Sequence, residues 1–138
     1  MILILCVDDR GGLMFNRRRQ SQDRVLRARV LALSAGERLR MSPYSAGQFA
    51  EEDAPQIAAD DDFLDKAAPG DYCFVEDADI LPYLDQIEQV ILYRWNRSYP
   101  ADTYFAPNLS APRWALLRSS DFAGFSHEKI TEKVYRAQ

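Results

Sequence analysis

The chain opens on an unbroken apolar run, Ile2-Leu3-Ile4-Leu5-Cys6-Val7, that stops at Asp8-Asp9. Such a run reads as a strand covered on both faces. A loop follows at Asp9-Arg10-Gly11-Gly12. From Gln22 to Ala35 the period becomes helical: Leu26, Val30 and Leu33 share one face, Arg24 and Arg27 lie off it, and Gly36 supplies a C-terminal stop. Arg38–Met41 is a short strand, and Ser45 sits as N-cap of a helix over Ala46–Glu52. The acidic stretch Glu51–Asp62 carries no clear period and reads as loop. A short helix at Asp61–Ala67 is closed by Pro69-Gly70. Strands follow at Tyr72–Val75 and Val90–Trp95, with a short helix between them at Asp79–Asp85. Beyond the breaks at Pro100 and Ser110-Ala111-Pro112, residues 113–120 and 129–136 are the final strands, the last with one wet face. Alternating strands and helices with a closing antiparallel pair predict one α/β domain over residues 1–138, built on a mixed, mostly parallel central sheet flanked by helices.

Composition narrows the chemistry. Nearly half of the 138 residues are hydrophobic, enough for a core without metal or disulfide support. No run approaches the roughly 18 apolar residues of a membrane span, and the Met1–Val7 segment lacks the basic lead and cleavage site of a signal peptide. A cytoplasmic protein with no membrane partner is expected, with Cys6 and Cys73 as buried free thiols. The single histidine, His127, excludes hydrolases that need histidine clusters around zinc, so no metal is expected; in Ser126-His127-Glu128 it reads as a loop residue.

The net charge of −4 conceals an asymmetry. Residues 10–40 carry nine arginines against Asp23 and Glu37, whereas residues 51–79 carry eleven acids against Lys66 alone. Two readings stand: two solvated faces, or a basic surface for an anionic partner shielded by an acidic one.

Several motifs of the C-terminal third resemble those of the dihydrofolate reductase family. Tyr99-Pro100-Ala101-Asp102-Thr103-Tyr104-Phe105 is similar to the Gly-Asp-Thr-x-Phe-Pro element that follows a central strand there. Trp114 stands where the family has a tryptophan-bearing strand, and Ile130–Tyr135 resembles its closing strand. Met1–Asp8 is similar to the first strand, Arg10–Gln20 to the mobile substrate-covering loop, and Gln22 onward to the first helix. Residues 51–68 are too divergent to be placed on the family's pattern. The resemblance implies a dihydrofolate-reductase-like single domain with Asp23 near the position of the acid that anchors the pterin. A second reading of Asp23 is an acid placed in a first helical turn by the helix dipole.

On the cofactor side the resemblance fails. The family's Gly-Gly pair, which presents bare backbone to a pyrophosphate, is Val75-Glu76 here, followed by Asp77 and Asp79. Its Gly-Arg-x-Thr element is Ser42-Pro43-Tyr44-Ser45, which keeps the hydroxyl and loses the cation. The Leu-Pro-Trp of the covering loop is replaced by Arg17-Arg18-Arg19-Gln20-Ser21. NADPH-dependent folate reduction is therefore not expected, and no cofactor is assigned. The leading expectation is a pseudoenzyme or binding protein for a small anionic or nucleotide-like ligand. Asp23, Asn16, Arg17, Arg18, Arg19, Tyr44, Ser45 and Tyr93 are its candidate ligand-binding residues. Alternatives are RNA binding, with six arginines between Arg17 and Arg29 and Phe15, Tyr44 and Tyr93 as stacking platforms; phosphodiester processing by the same arginines with Asp8, Asp9 and Asp23; and an active divergent reductase.

Overall fold

A computed structural model describes all residues, 1–138. β1 (Ile2–Val7) lies at the middle of a seven-stranded sheet. On one side it pairs in parallel with β6 (Tyr72–Phe74), which is followed by β4 (Leu39–Met41) and β5 (Ile57–Ala59). On the other side it pairs in parallel with β7 (Gln89–Arg94), followed by the antiparallel β10 (Ile130–Ala137) and β9 (Trp114–Phe122). The unbroken apolar run of β1 has a direct cause. Leu3, Leu5 and Val7 enter the core on one face of the sheet while Ile4 enters the core on the other.

The second face is covered by α1 (Arg24–Leu33), through Leu26 and Val30, and by Phe49, which follows α2 (Pro43–Gln48). The first face is covered by α3 (Phe63–Lys66), through Phe63 and Leu64, and by Ile80 and Ile87, which flank a 3-10 helix at Leu81–Gln86. None of these helices is long and apolar enough to cross a membrane.

Four expectations are corrected. Residues 10–20 are not simply a loop: β2 (Gly12–Phe15) and β3 (Arg18–Arg19) form a hairpin, and β2 also pairs with β8 (Thr103–Tyr104) in a three-stranded sheet. Its two-residue turn puts Asn16 at φ 54° and Arg17 at φ 60°, the left-handed pair that a tight hairpin needs. The acidic stretch read as loop contains β5, an edge strand of three residues. The N-cap of α2 is Ser42, whose Oγ accepts from the Ser45 backbone N–H at 3.1 Å, so Ser45 lies inside the helix. The Asp79–Asp85 helix is the 3-10 turn at Leu81–Gln86.

The charge asymmetry also has a structural outcome. Arg19–Glu76, Arg27–Glu52 and Arg40–Asp71 each join the arginine-rich segment to the acidic one. Part of the basic surface is thus neutralised within the fold, while Arg17, Arg18 and Arg24 stay exposed and meet no carboxylate.

Candidate functional site

The parallel strands β1, β4, β6 and β7 end on the same side of the sheet, the side where open α/β sheets place their ligands. Asp8 follows β1, Ser42 follows β4, Val75-Glu76 follow β6 and Trp95 follows β7. The hairpin, the start of α1 and the turn between β9 and β10 close over these ends.

Asp23 is the N-cap of α1. Its extended backbone (φ −153°, ψ 132°) turns the carboxylate back onto the first helical turn, where Oδ1 accepts from Val25 N–H at 2.9 Å and Leu26 N–H at 3.3 Å. The β9–β10 turn supplies the rest. Phe125 N–H donates to Oδ1 at 3.0 Å, and Ser126 N–H and His127 Nδ1 each meet Oδ2 at 2.9 Å, with Ser126 Oγ at 3.2 Å. Such close approach requires Gly124, because a Cβ there would lie 2.7 Å from Asp23 Oδ2 and 3.0 Å from the His127 carbonyl. Burial by itself raises the pKa of Asp23, but the hydrogen bonds from Phe125, His127, Ser126 and Leu26 outweigh it and hold the acid well below the usual carboxylate range. Asp23 is therefore an ionised, buried anion whose oxygens are fully engaged by the protein's own donors.

His127 is buried too, stacked on the Trp95 indole with centroids 4.5 Å apart. Since the Asp23 carboxylate only accepts, Nδ1 carries a proton, and in the neutral ring Nε2 is the acceptor. Facing Nε2 are the Ser21 hydroxyl at 2.9 Å and the Tyr99 hydroxyl at 3.4 Å. Expected as a loop residue, His127 does lie on a loop, but it is the centre of a buried polar chain.

A second cluster surrounds Glu76 at the end of β6. Its side chain is 9% exposed and takes a two-pronged bond from Arg19, Nε to Oε2 at 2.9 Å and Nη2 to Oε1 at 3.0 Å. Ser45 Oγ donates to Oε1 at 2.9 Å. The Arg19 guanidinium also lies over the Tyr44 ring, 4.5 Å from its centroid, while the Arg19 backbone N–H donates to the Tyr44 hydroxyl. The β2–β3 hairpin is thereby latched to α2 and β6.

Two open clefts flank Arg19. The helix cleft, about 560 Å³, lies between α1 and the end of α2, with Arg24, Gln48, Phe125, Glu51 and the Arg27–Glu52 pair on its walls and Asp23 at its edge. The hairpin cleft, about 400 Å³, lies between Phe15, Arg18, Gln20, Tyr99 and Pro100, with Asn16 at its rim. Of the eight candidate residues, Asp23 and Arg19 line the first, and Asn16, Arg18 and Arg19 line the second. Arg17 points outward from the hairpin turn. Tyr44 and Ser45 belong to the Glu76 cluster. Tyr93 is a correction: it is fully buried and donates to Glu132 Oε2 at 2.7 Å, so it neither lines a cleft nor stacks a base. Central β7 is covered on both faces, which removes the exposed face that such a role needs. Asp8, considered for phosphoryl transfer, is also fully buried and accepts from the backbone of Arg10, Gly12 and Tyr99 and from the Gln20 amide.

The sequence reading passed over Ser21, Glu76 as an arginine receptor, Phe125, and His127 as Asp23's partner. Ser21 and His127 stand 106 positions apart, and no local pattern links them.

No family model matches the chain, and no curated protein matches it in sequence. A search of solved structures does find a likeness, to a dihydrofolate reductase from Enterococcus faecalis solved with NADP(H) and RAB-propyl. The two share 8% sequence identity at a TM-score of 0.68, over 99% of this chain and 95% of that one. The protein has a dihydrofolate-reductase-like α/β fold, with a mixed seven-stranded sheet and antiparallel C-terminal strands.

Proposed function

We propose that this protein binds a small, flat, anionic ligand, nucleotide-like in chemistry, in the helix cleft, and does not work as an NADPH-dependent reductase. The observation that carries this reading is the Glu76 cluster. Where the family resemblance puts bare backbone for a pyrophosphate, this chain has a buried carboxylate clasped by Arg19 and Ser45. A phosphate brought there would meet a like charge and would compete with an ion pair already made. The residues at this position do not fit NADPH. Asp23, with its oxygens taken by six internal donors, likewise has no acceptor left for the amidine edge of a pterin.

The helix cleft keeps usable chemistry. Arg24 has no carboxylate partner and rests on the exposed Phe125 ring, 4.7 Å from its centroid. The pair offers a cation beside an aromatic face, and the Gln22 and Gln48 amides add a hydrogen-bonding edge. Titration calorimetry with nucleoside monophosphates, the matching nucleosides and NADPH tests the reading. A monophosphate should bind better than its nucleoside, and Arg24→Ala should weaken it by about tenfold, as loss of one charge-assisted bond does. Tight NADPH binding with turnover of dihydrofolate would establish the reductase instead.

A second reading is single-stranded RNA lying along the hairpin and the start of α1. It is favoured by exposed Phe15 and Phe125 beside the carboxylate-free Arg17, Arg18 and Arg24. Binding of an oligonucleotide that falls steeply with salt would favour it over the small ligand. The free thiols, with Cys73 pushed up to about 12 by burial, suit a reducing cytoplasmic setting.

A further inference from the structure

We propose that Ser21, His127 and Asp23 form a nucleophile–base–acid relay that cleaves small carboxylic esters entering the hairpin cleft, with the Tyr99 hydroxyl as donor to the developing oxyanion. This inference stands apart from the ligand-binding reading, which concerns the helix cleft on the other side of Arg19.

The geometry has each part that the chemistry needs. Ser21 Oγ lies 2.9 Å from His127 Nε2, and His127 Nδ1 lies 2.9 Å from Asp23 Oδ2. The imidazole is held in one plane by the stacked Trp95, and its tautomer is fixed by an acceptor-only carboxylate. Asp23 is itself fixed by backbone N–H groups of α1 and of the β9–β10 turn, so it remains an anion able to balance an imidazolium. Ser21 is half-buried and sits between Gln20, which lines the hairpin cleft, and Gln22, which lines the helix cleft. Tyr99 is also on the wall of the hairpin cleft, and its hydroxyl converges on the same Nε2 at 3.4 Å. A carbonyl that passed this wall to reach Nε2 would stand beside both hydroxyls. Arg18, which has no carboxylate partner, gives the cleft a cation and favours esters whose acyl part ends in a carboxylate.

In the first step Ser21 Oγ bonds to the carbonyl carbon and its proton passes to His127 Nε2, while the carbonyl electron pair moves onto the oxygen facing Tyr99. Collapse of this intermediate breaks the bond to the alkoxide, which takes the proton from Nε2 and leaves as an alcohol. Water repeats the sequence on the acyl-serine, losing its proton to Nε2 and releasing the acid with Ser21 restored.

Diisopropyl fluorophosphate tests the relay directly, since Ser21 Oγ would displace fluoride and the serine proton would leave with it. Intact mass and peptide mapping should find one diisopropylphosphoryl group on Ser21. Labelling should vanish in Ser21→Ala, slow by about 100-fold or more in His127→Gln, and persist in Ser119→Ala on the exposed part of β9. The same pattern should hold for release of p-nitrophenol from p-nitrophenyl butyrate. The p-nitrophenyl monoester of glutaric acid should be the better substrate, with the preference lost in Arg18→Ala. His127→Gln alters a buried group that the fold itself uses, so Ser21→Cys provides a second arm that leaves the imidazole in place. The thiol introduced by Ser21→Cys should react with iodoacetamide at neutral pH at least about tenfold faster than that of Ser119→Cys. An unmodified Ser21 in folded protein, p-nitrophenol release that survives Ser21→Ala, or a Ser21→Cys thiol no faster than the control would each overturn the proposal.

Discussion

Asp23, at the edge of the helix cleft, and Glu76, bound to the arginine that lines both clefts, are both removed from water, yet they are stabilised in opposite ways. Asp23 is held by dipoles: four backbone N–H groups, a hydroxyl and one imidazole, with no arginine or lysine among its partners. Glu76 is held by a full charge, the bidentate guanidinium of Arg19, with the Ser45 hydroxyl beside it. The dipoles around Asp23 belong to two segments about a hundred residues apart, so they tie α1 to the β9–β10 turn permanently. The cation on Glu76 belongs to a hairpin whose hold on α2 and β6 runs through this one side chain, its backbone N–H and the Tyr44 ring. One acid is a fixture of the fold; the other is a latch.

The largest expected effect separates the two. Asp23→Ala leaves several buried donors without an acceptor and should lower stability by roughly 3–5 kcal/mol, read by urea unfolding. Glu76→Gln keeps a hydrogen-bonding side chain at the latch and should cost no more than about half of that. Equal losses would erase the distinction.

Acid sharpens it. The pKa of Asp23 in the fold is depressed, as are those of Asp8 and Glu132, in each case because hydrogen bonds to the anion outweigh burial. A depressed group contributes stability that is fully present above its unfolded value and is lost as pH falls through the folded one. Stability should therefore be flat above about pH 5 and decline progressively below about pH 4, measured as Tm against pH. Asp23→Asn should start lower and flatten this decline.

Smaller in size is the coupling across the latch. A double-mutant cycle on Arg19→Ala and Glu76→Ala should give an interaction energy of about 1–3 kcal/mol, and amide exchange in the β2–β3 hairpin should quicken in either single variant. A coupling near zero would mean that the hairpin is held by its strand pairing with β8 and by Asp8 rather than by Glu76.

The smallest effect concerns the hairpin turn. Arg17 at φ 60° holds a conformation that glycine adopts without a side-chain penalty. Arg17→Gly should stabilise the protein by about 0.5–1 kcal/mol, read as a rise in Tm. A loss of stability would show that the Arg17 side chain makes a contribution larger than the backbone strain.

How far the chain could be read in advance depended on how local each signal was. α1 was legible because its apolar positions recur on one face between a capping acid and Gly36. β1 was legible because both of its faces are interior. The hairpin was missed because Asn16-Arg17 lacks the glycine that marks such turns. β5 was missed because three residues are too few to show a period and because its neighbours are acids. The shift of the N-cap from Ser45 to Ser42 had a readable sign, a serine followed directly by proline at the first helical position. Tyr93 was misplaced for the opposite reason: an aromatic in a strand gives no sign of whether its face is covered by a helix.

The sequence alone determined the order of the main strands and helices, the mixed central sheet that they build and the loss of the glycine and arginine signals on the cofactor side, since these rest on local periodicity and on residue identity. Only the tertiary structure decided what replaced them. That Glu76 takes Arg19, that Asp23 is capped by a turn from the far end of the chain, and that His127 lies between Asp23 and Ser21 all depend on contacts between 57 and 106 positions apart. Hydrogen bonds and ion pairs act over a few ångströms in space, and separation along the chain carries no trace of them until the sheet has brought its ends together.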